Sequence, residues 1–226
     1  YADERCSLKL ACHPCLKNRL NVGYFSFSKR PSILLFYSWK ISYSQHGRYG
    51  KFERWKTINN EGDTRMEIAM CGVADVPELA SLFVEMENYY FGHGVVSYDD
   101  MSTYLADKVF STYSGVTVVG ARKNGVLVGF ATFTLMFPAP LCSGQAFMKE
   151  LFTSEIARGQ GVGKSLIRFI ANFAIKHGCS RLDWTAEKSN PKAGAFYLSL
   201  GAALIEEKQY FRLEGRDLEK FSSRVE

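Results

Sequence analysis

The chain has 226 residues, of which 46% are hydrophobic and 23% are charged, a balance typical of a folded globular protein. Its 28 Lys and Arg outnumber its 23 Asp and Glu, which gives a net charge of +5. Residues 1–65 hold 12 of the basic side chains against 5 acidic ones, so residues 66–226 have 16 against 18. Nucleic-acid binding is therefore not expected of the larger part, although a basic arm remains an alternative for residues 1–65.

The composition predicts three segments: a basic extension over residues 1–65, a domain over 66–215 and a charged tail over 216–226. All six methionines lie at or after Met66. One interpretation is that Met66 is the natural start and the extension is non-native or translated from upstream; the other is a native leader with little order. The most apolar run of the extension, residues 32–43, is shorter than the roughly 20 residues of a membrane span. No signal-peptide pattern is recognised, so we expect a cytoplasmic protein without a membrane partner.

The six cysteines do not indicate a metal site. Cys12 and Cys15 have the spacing of a CxxC pair, but no second pair follows, so a zinc or redox role is not expected. The three cysteines after Met66 are scattered through the domain and are interpreted as reduced thiols.

From Met66, hydrophobic spacing predicts a strand over residues 66–71 and a helix that begins at Asp75. Asp75 can cap this helix, and Glu78 would complete a capping box. The remaining elements follow from the same patterns: a helix over 98–110, strands over 116–121 and 126–136 joined by Asn124-Gly125, a strand over 146–153, a helix over 162–177, a strand over 181–186, a helix from Asn190 to Gly201, a hairpin of 204–206 with 209–213, and a loose tail from Glu214.

The stretch from Arg158 to Lys164 reads Arg-Gly-Gln-Gly-Val-Gly-Lys and joins a predicted strand to a predicted helix. Closely spaced glycines let the backbone approach a ligand, and the unpaired N–H groups of a helix start favour an anion. We therefore expect a ligand that carries phosphates. The Walker spacing and the dinucleotide pattern G-x-G-x-x-G both fail here. The remaining alternative is an ordinary glycine-rich turn.

Arg-x-x-Gly-x-Gly resembles the pyrophosphate loop of the GNAT superfamily of acetyl-CoA-dependent N-acetyltransferases. Residues 190–202 are similar to a second GNAT signature, Asn-x-x-x-x-x-Phe-Tyr-x-x-x-Gly-Ala. The resemblance covers roughly residues 66–213. Within the superfamily, the sequence most resembles spermidine/spermine-type and related bacterial small-amine acetyltransferases. It implies an α/β (α+β) fold: a mixed, mostly antiparallel central sheet, a parallel splayed strand pair and flanking helices.

The resemblance also implies the roles of site residues. Tyr197 would be the general acid for the departing thiolate. Glu150 aligns with the second of two adjacent acids in the polyamine enzymes, whereas Lys149 replaces the first, so the general base stays open among Glu150, other acidic or aromatic residues near 85–93, and a water chain. The acceptor would meet Glu85, Tyr89 and Tyr90. The residues implied in acetyl-CoA binding are Leu151, Phe152, Thr153, Arg158, Gly159, Gln160, Gly161, Val162, Gly163, Lys164 and Asn190.

These implications add up to an enzyme that transfers acetyl from acetyl-CoA to a primary amine of a small molecule, such as a polyamine, amino sugar or aminoglycoside. The amine would attack directly in a ternary complex, because no suitably placed nucleophilic cysteine is present. The alternatives are a non-catalytic acyl-CoA-binding or regulatory module, and an acetyltransferase that acts on protein lysines or N-termini. Homodimers are frequent in the superfamily, so a homodimer is also an expectation.

Overall fold

The computed structural model describes residues 54–56 and 66–223, all within one compact unit, Arg48–Glu226. The strands of this part of the chain are β1 (Arg54–Lys56), β2 (Met66–Met70), β3 (Thr117–Lys123), β4 (Val126–Ala139), β5 (Ser143–Thr153) and β6 (Cys179–Trp184). The helices are α1 (Val76–Phe91), α2 (Tyr98–Tyr104), α3 (Val162–Lys176), α4 (Pro191–Ser199) and α5 (Gly215–Ser222). A π-helical segment, Leu105–Val109, continues α2.

The described strands form one six-stranded sheet in the order of the sequence. Strands β1 to β5 pair antiparallel, and β5 pairs parallel with β6 after the crossover through α3. The mixed sheet with one parallel pair is therefore confirmed. β1 lies inside the predicted extension and pairs with β2, while the boundary near Met66 stays a prediction. The CxxC pair and the apolar run of residues 32–43 lie outside the described residues.

The β3–β4 hairpin turns at Asn124 and Gly125, as the sequence predicts. Both residues have positive φ angles, 53° and 82°. This backbone geometry is that of the tight turns that match the twist of two antiparallel strands, and Asn-Gly is the residue pair that tolerates it best.

The core has two parts on opposite faces of the sheet. Val119 packs with the buried residues of α3, whereas its neighbour Val118 packs with α1 and α2. Successive side chains of a strand point to opposite faces, so α3 covers one face and the α1–α2 pair covers the other. Phe83 of α1 stacks on Phe130 of β4 with ring centroids 4.0 Å apart.

The capping box predicted at the start of α1 is wrong. Asp75 is the N-cap residue, but its side chain accepts from the Gly72 N–H at 2.8 Å and pairs with Arg122 at 2.6 Å. Glu78 also pairs with Arg122 and accepts from the Leu127 N–H at 3.3 Å. The two carboxylates tie α1 to the β3–β4 hairpin instead, because the long Arg122 side chain brings a stronger, charged partner within reach.

The C-terminal predictions are also wrong in two respects. Residues 204–206 and 209–213 form no hairpin, and the residues after Glu214 form α5. A two-stranded hairpin is stable only when one of its faces is covered, and the apolar side chains of residues 204–213 are exposed. Helix α5 has Asp217 in its first turn and Lys220 in its last turn, where these charges favour the helix dipole.

No helix of the described residues combines the length and the apolar character that crossing a bilayer requires.

Candidate active site

The site is centred where β5 and β6 separate. Their parallel pairing runs from Gly144 opposite Cys179 to Met148 opposite Trp184, where β6 ends. β5 continues to Thr153 and keeps its pairing with β4 up to Gly129. Residues 149–153 therefore have a neighbouring strand on one edge only. This opening leaves backbone N–H and C=O groups of β5 without β6 as a partner, so an extended ligand can take the place of that strand.

The glycine loop lies directly after this opening. Gly159 and Gly161 have φ angles of 75° and 79°, and a Cβ atom built on either would have no atom of the described chain within 4 Å. Helix α3 starts after Gly161 without a side-chain cap from the described residues. The described residues thus provide no side-chain cap for the amides of its first turn, and a helix start without such a cap is an arrangement that can bind phosphates.

Gly163 has a different role from the other two glycines. A Cβ atom at Gly163 would lie 3.4 Å from the Phe196 ring and 3.9 Å from the Leu151 side chain. Both distances are ordinary van der Waals separations, so a Cβ atom would be accommodated there. The third glycine of the loop therefore lies where α3 packs beside α4 and β5.

Tyr197 lies half-buried beside the opening. Its ring packs against Trp184, the last residue of β6, with centroids 5.2 Å apart, and against Phe196 at 5.3 Å. Burial raises the pKa of the Tyr197 hydroxyl, and the nearby Tyr90 and Glu150 raise that pKa further. The hydroxyl therefore stays protonated through the neutral pH range, as a proton donor must.

A β-bulge at Lys149 sets the position of Glu150. Glu150 pairs with Thr132 and Met148 pairs with Phe133, so Lys149 is an additional residue on β5. The bulge breaks the alternation of side chains, and the Lys149 ammonium donates to a Glu150 carboxylate oxygen at 2.7 Å. Burial raises the pKa values of Tyr90 and Tyr197, and the charge of Glu150 raises both further, so Glu150 lies within electrostatic reach of the two hydroxyls.

An open cavity of about 310 Å³ adjoins this region, between the end of α1 and the turn that follows β5. It brings together two of the three predicted acceptor residues, Glu85 and Tyr89, with a residue predicted to bind the cofactor, Arg158. The complete lining is Glu85, Asn88, Tyr89, His93, Glu155 and Arg158. The solvent-accessible cavity is therefore lined by two aromatic rings, two carboxylates, one amide and one guanidinium.

Two of the lining residues also hold the cavity together. One Glu85 oxygen accepts from the Ser154 hydroxyl at 3.0 Å and from the Glu155 N–H at 2.9 Å. The Arg158 guanidinium lies 4.9 Å from the centre of the Tyr89 ring, and its Nε donates to the Thr153 carbonyl at 3.2 Å. Arg158 thus connects the glycine loop to α1, a link for which the sequence pattern offered no signal.

The remaining predicted residues differ in what they offer a ligand. Phe152 and Val162 have buried side chains, so only their backbone is available. The Gln160 side chain accepts from Lys123 at 2.8 Å and donates to the Ile156 carbonyl at 2.9 Å. Asn190 caps α4 by accepting from the Ala193 N–H at 3.1 Å, as its position before Pro191 predicts. Lys164 is exposed on the first turn of α3.

Trp184 is a site residue that the sequence reasoning missed. It ends β6 at the last pairing with β5 and packs on Tyr197. The signal available was its position as an aromatic residue at the end of the predicted strand before the Asn190 helix, but its contact with Tyr197 depends on the tertiary fold.

These features define an α/β domain with an opened parallel strand pair and a glycine-rich helix start without a side-chain cap from the described residues. A sequence model of the acetyltransferase (GNAT) family matches residues 79–202, more than half of the chain. The chain therefore belongs to the GNAT acetyltransferase family, whose members use acetyl-CoA as co-substrate.

Several relatives share parts of the sequence. An L-ornithine N5-acetyltransferase of Arabidopsis thaliana is 32% identical over 99 residues, which cover 43% of each chain. A thialysine N-epsilon-acetyltransferase of Mus musculus is 26% identical over 113 residues, 46% of this chain and 63% of the mouse protein. The chain thus spans between two fifths and two thirds of the length of these curated relatives.

Solved structures show the same fold. An integron cassette protein from the mobile metagenome of V. cholerae is 48% identical, with a TM-score of 0.68 over 70% of this chain and 98% of that one. An aminoglycoside N-acetyltransferase in complex with CoA has a TM-score of 0.54 over 70% of this chain and all of that one. At 19% identity, the second similarity concerns the fold alone.

The described residues contain no group of three or more His, Cys, Asp or Glu side chains placed to hold a metal ion.

Proposed function

We propose that this protein transfers an acetyl group from acetyl-CoA to a primary amine of a small cationic molecule by direct attack in a ternary complex. The observation that carries the proposal is the opening between β5 and β6, with the Tyr197 hydroxyl beside it and the uncapped start of α3 after it. In acetyl-CoA, the extended arm fits the strand opening, the thioester would lie beside the Tyr197 hydroxyl, and the phosphates fit the start of α3.

The phosphates would lie against the backbone of Gly159 and Gly161 and the first turn of α3. A phosphate can approach the backbone closely there, since a Cβ atom at either glycine would meet no atom of the described chain within 4 Å. The exposed Lys164 adds positive charge at the same helix turn. The extended arm would pair with the free edge of residues 149–153, where Leu151, Phe152 and Thr153 supply backbone groups.

Acetyl transfer forms a bond between the amine nitrogen and the acetyl carbon and breaks the bond between that carbon and sulfur. Tyr197 would donate its hydroxyl proton to the leaving sulfur, because its raised pKa keeps it protonated. An N–H group on the free edge of β5 would stabilise the negative charge that develops on the acetyl oxygen.

Glu150 would accept the proton that the amine loses. Its ion pair with Lys149 uses one carboxylate oxygen, Oε1, so Oε2 remains to accept a proton directly or through a water molecule. The Glu150 side chain is 30% exposed, which allows a cationic acceptor to reach it from the cleft. Tyr90 would lie near the acceptor, because its ring centroid is 5.0 Å from that of Tyr89, which lines the cavity.

The acceptor class follows from the residues around the 310 Å³ cavity. The faces of Tyr89 and Tyr90 attract cations, and the Glu85 and Glu155 carboxylates add negative charge. The named activities of the relatives concern amines that carry further charged groups, ornithine and thialysine. A diamine or diamino acid is therefore the acceptor that we expect.

The direct test is release of free thiol from acetyl-CoA by the full chain in the presence of ornithine, thialysine, polyamines, an aminoglycoside or a lysine peptide. We expect turnover with at least one small cationic amine and intersecting lines in initial-rate plots at varied concentrations of both substrates. Turnover with the peptide alone would favour a protein acceptor. Binding of acetyl-CoA without turnover on any amine would contradict the proposal and favour a binding module.

A further inference from the structure

Lys149 places a cation beside the proposed general base, where β5 loses β6 as a neighbour. The β-bulge makes Lys149 an additional residue of β5, directly after the last parallel pair, Met148 with Trp184. Its side chain is 72% exposed, and Nζ donates to Glu150 Oε1 at 2.7 Å. An ammonium has three donor hydrogens, and the bond to Glu150 uses one of them. Lys149 can therefore bind a further acceptor group from solvent while it keeps its contact with Glu150.

A second cation lies near Lys149. The hydrogen bond to Glu150 raises the pKa of the Lys149 ammonium above its ordinary value, although burial and the like charge of Arg212 oppose this rise. Lys149 is thus charged at neutral pH, and Arg212 lies within electrostatic reach of it. The Arg212 guanidinium is 58% exposed, lies 5.6 Å from the centre of the Tyr210 ring and pairs with Glu214 through Nη1 at 3.2 Å. A guanidinium has five N–H donors, so Arg212 also retains donors for a ligand.

These two cations contrast with the cavity beside α1. That cavity has Glu85, Glu155 and Tyr89 among its lining residues, and carboxylates and aromatic faces attract cations. Lys149 has the opposite preference, because like charges repel and an anion can pair with an ammonium. An acceptor that carries only ammonium groups gains nothing from Lys149. An acceptor that carries a carboxylate as well as its amines can satisfy both parts of the site.

The distances suit a short chain between the amine and the carboxylate. The proton of the attacking amine would pass to Glu150 Oε2, and Lys149 Nζ lies 2.7 Å from Oε1 of the same carboxylate. A hydrogen bond of about 3 Å at each end of this path places the amine nitrogen and the bound carboxylate within about 11 Å of each other. In ornithine, five bonds of about 1.5 Å separate the side-chain nitrogen from the carboxyl carbon, which is about 6 Å in an extended chain. Ornithine, or lysine with one more carbon, can therefore reach both groups.

We propose that Lys149 binds the carboxylate of the amine acceptor, so that the enzyme prefers diamino acids over diamines of the same length. The proposal rests on the proposed function, because it assigns the acceptor of that reaction. The Lys149 ammonium would donate one hydrogen to the acceptor carboxylate and another to Glu150, and Arg212 would add a second, weaker attraction. A site that hydrogen-bonds a group of its substrate discriminates strongly against the analogue that lacks the group. Lys149 would therefore orient the base and select the substrate.

The test compares ornithine with 1,4-diaminobutane, which is ornithine without its carboxylate. The kcat/KM of the full chain is measured for each amine, and the ratio of the two values gives the preference for the carboxylate. We expect a ratio of at least about 10 in the wild type, and a ratio lower by about tenfold in Lys149→Met, because a hydrogen bond between charged groups is lost. Lys149→Arg keeps the charge and should retain most of the preference. Arg212→Gln should lower the ratio by about threefold, since Arg212 is the more distant cation.

The ratio separates substrate recognition from support of the base. If Lys149 acted only by orienting Glu150, Lys149→Met would lower kcat/KM for both amines by the same factor and leave the ratio unchanged. Lys149→Glu should reverse the preference, because its carboxylate repels that of ornithine and attracts the second ammonium of the diamine. The matched control is Lys176→Met, at an exposed lysine in the last turn of α3, at the end of that helix away from the glycine loop. This control should leave the ratio unchanged.

Binding measurements keep this proposal separate from the proposed function. Calorimetry gives the dissociation constants of the two amines in the presence of CoA, and we expect the same preference and the same loss in Lys149→Met. A preference in binding without turnover of any amine would contradict acetyl transfer and support recognition by Lys149. Turnover of both amines with equal kcat/KM, or a preference that Lys149→Met leaves intact, would overturn recognition by Lys149 and leave acetyl transfer in place. Absence of both binding and turnover with the two amines would also overturn it.

Discussion

The two helices that carry the signature motifs are packed very differently. Helix α3, which follows the glycine loop, buries six of its residues against the sheet. Helix α4, which carries Tyr197, buries none of its residues: Phe196, Tyr197 and the C-cap residue Leu200 are only partly buried against the same cluster. Both helices lie beside the opened strand pair. Their locations are therefore similar, and they differ in how many side chains they bury.

The difference in packing agrees with the different roles proposed for the two helices, phosphate binding for α3 and general acid catalysis for α4. A helix start that binds phosphates needs fixed amides, because displacement of the backbone by a fraction of an ångström weakens each hydrogen bond. A general acid needs to be positioned only once its substrates are present. The start of α3 is therefore firmly packed in the described chain, whereas the helix that carries Tyr197 would gain further packing when substrates bind beside it. Substitutions at the two helices and at the loop between β5 and α3 test this difference.

Replacement of Tyr197 by Phe should lower kcat by about 100-fold or more, because general acid catalysis typically contributes 10²–10⁴-fold. The dissociation constant of acetyl-CoA should change by less than about threefold, since the proposed phosphate-binding elements are untouched. Steady-state kinetics and isothermal titration calorimetry provide the two values. The control is Tyr113→Phe at a tyrosine that is 97% exposed; equal turnover of the two variants would remove Tyr197 from the acid role.

The packing difference predicts a large contrast in stability. Leu166→Ala in α3 should lower the free energy of unfolding by about 2–5 kcal/mol, because the fully buried side chain leaves a cavity. Leu198→Ala in α4 should change it by less than about 0.5 kcal/mol, because Leu198 is 62% exposed. Urea unfolding of the full chain measures both. Similar losses in the two variants would mean that α4 is packed as firmly as α3.

Two alanine substitutions can distinguish a role of the glycine loop in acetyl-CoA binding from a general effect of backbone strain. Gly161 and Gly178 have nearly the same φ angle, 79° and 78°, at the start and the end of α3. Each substitution should cost about 1–2 kcal/mol of stability, because an L residue is strained in this conformation. Only Gly161→Ala should weaken acetyl-CoA binding, by about tenfold, which calorimetry measures. Equal affinities would exclude the loop from phosphate binding.

The pH dependence should show the smallest effect. The hydroxyl of Tyr197 is active as an acid while protonated, so activity is present below its pKa and is lost as the pH rises through it. Burial, Tyr90 and Glu150 raise this pKa above the ordinary value of about 10, so kcat/KM should not fall before that pH. Glu150→Gln removes one of the causes and should move the alkaline limb to lower pH in the residual activity. A limb that does not move would mean that Glu150 lies too far from Tyr197.

The elements that could be predicted from the sequence are those with local signals. Asn124-Gly125 specifies its turn through positive φ angles, Asn190 and Pro191 specify the start of α4, and the apolar spacing from Val162 specifies α3 and its buried face. The glycine-loop motif and the signature that contains Tyr197 also indicated the family of the chain. All of these depend on neighbouring residues, so a linear pattern contains the information.

The features that could not be predicted depend on contacts between residues distant in sequence. Arg122 draws Asp75 and Glu78 away from the predicted capping box across more than forty positions. The bulge that brings Lys149 onto Glu150 arises from the register between β4 and β5, and Trp184 meets Tyr197 only because β6 ends where the strands separate. The residues of the predicted hairpin have the composition of strands but no covered face in the described chain. A strand forms where a partner surface exists, and no pattern within the segment specifies that partner.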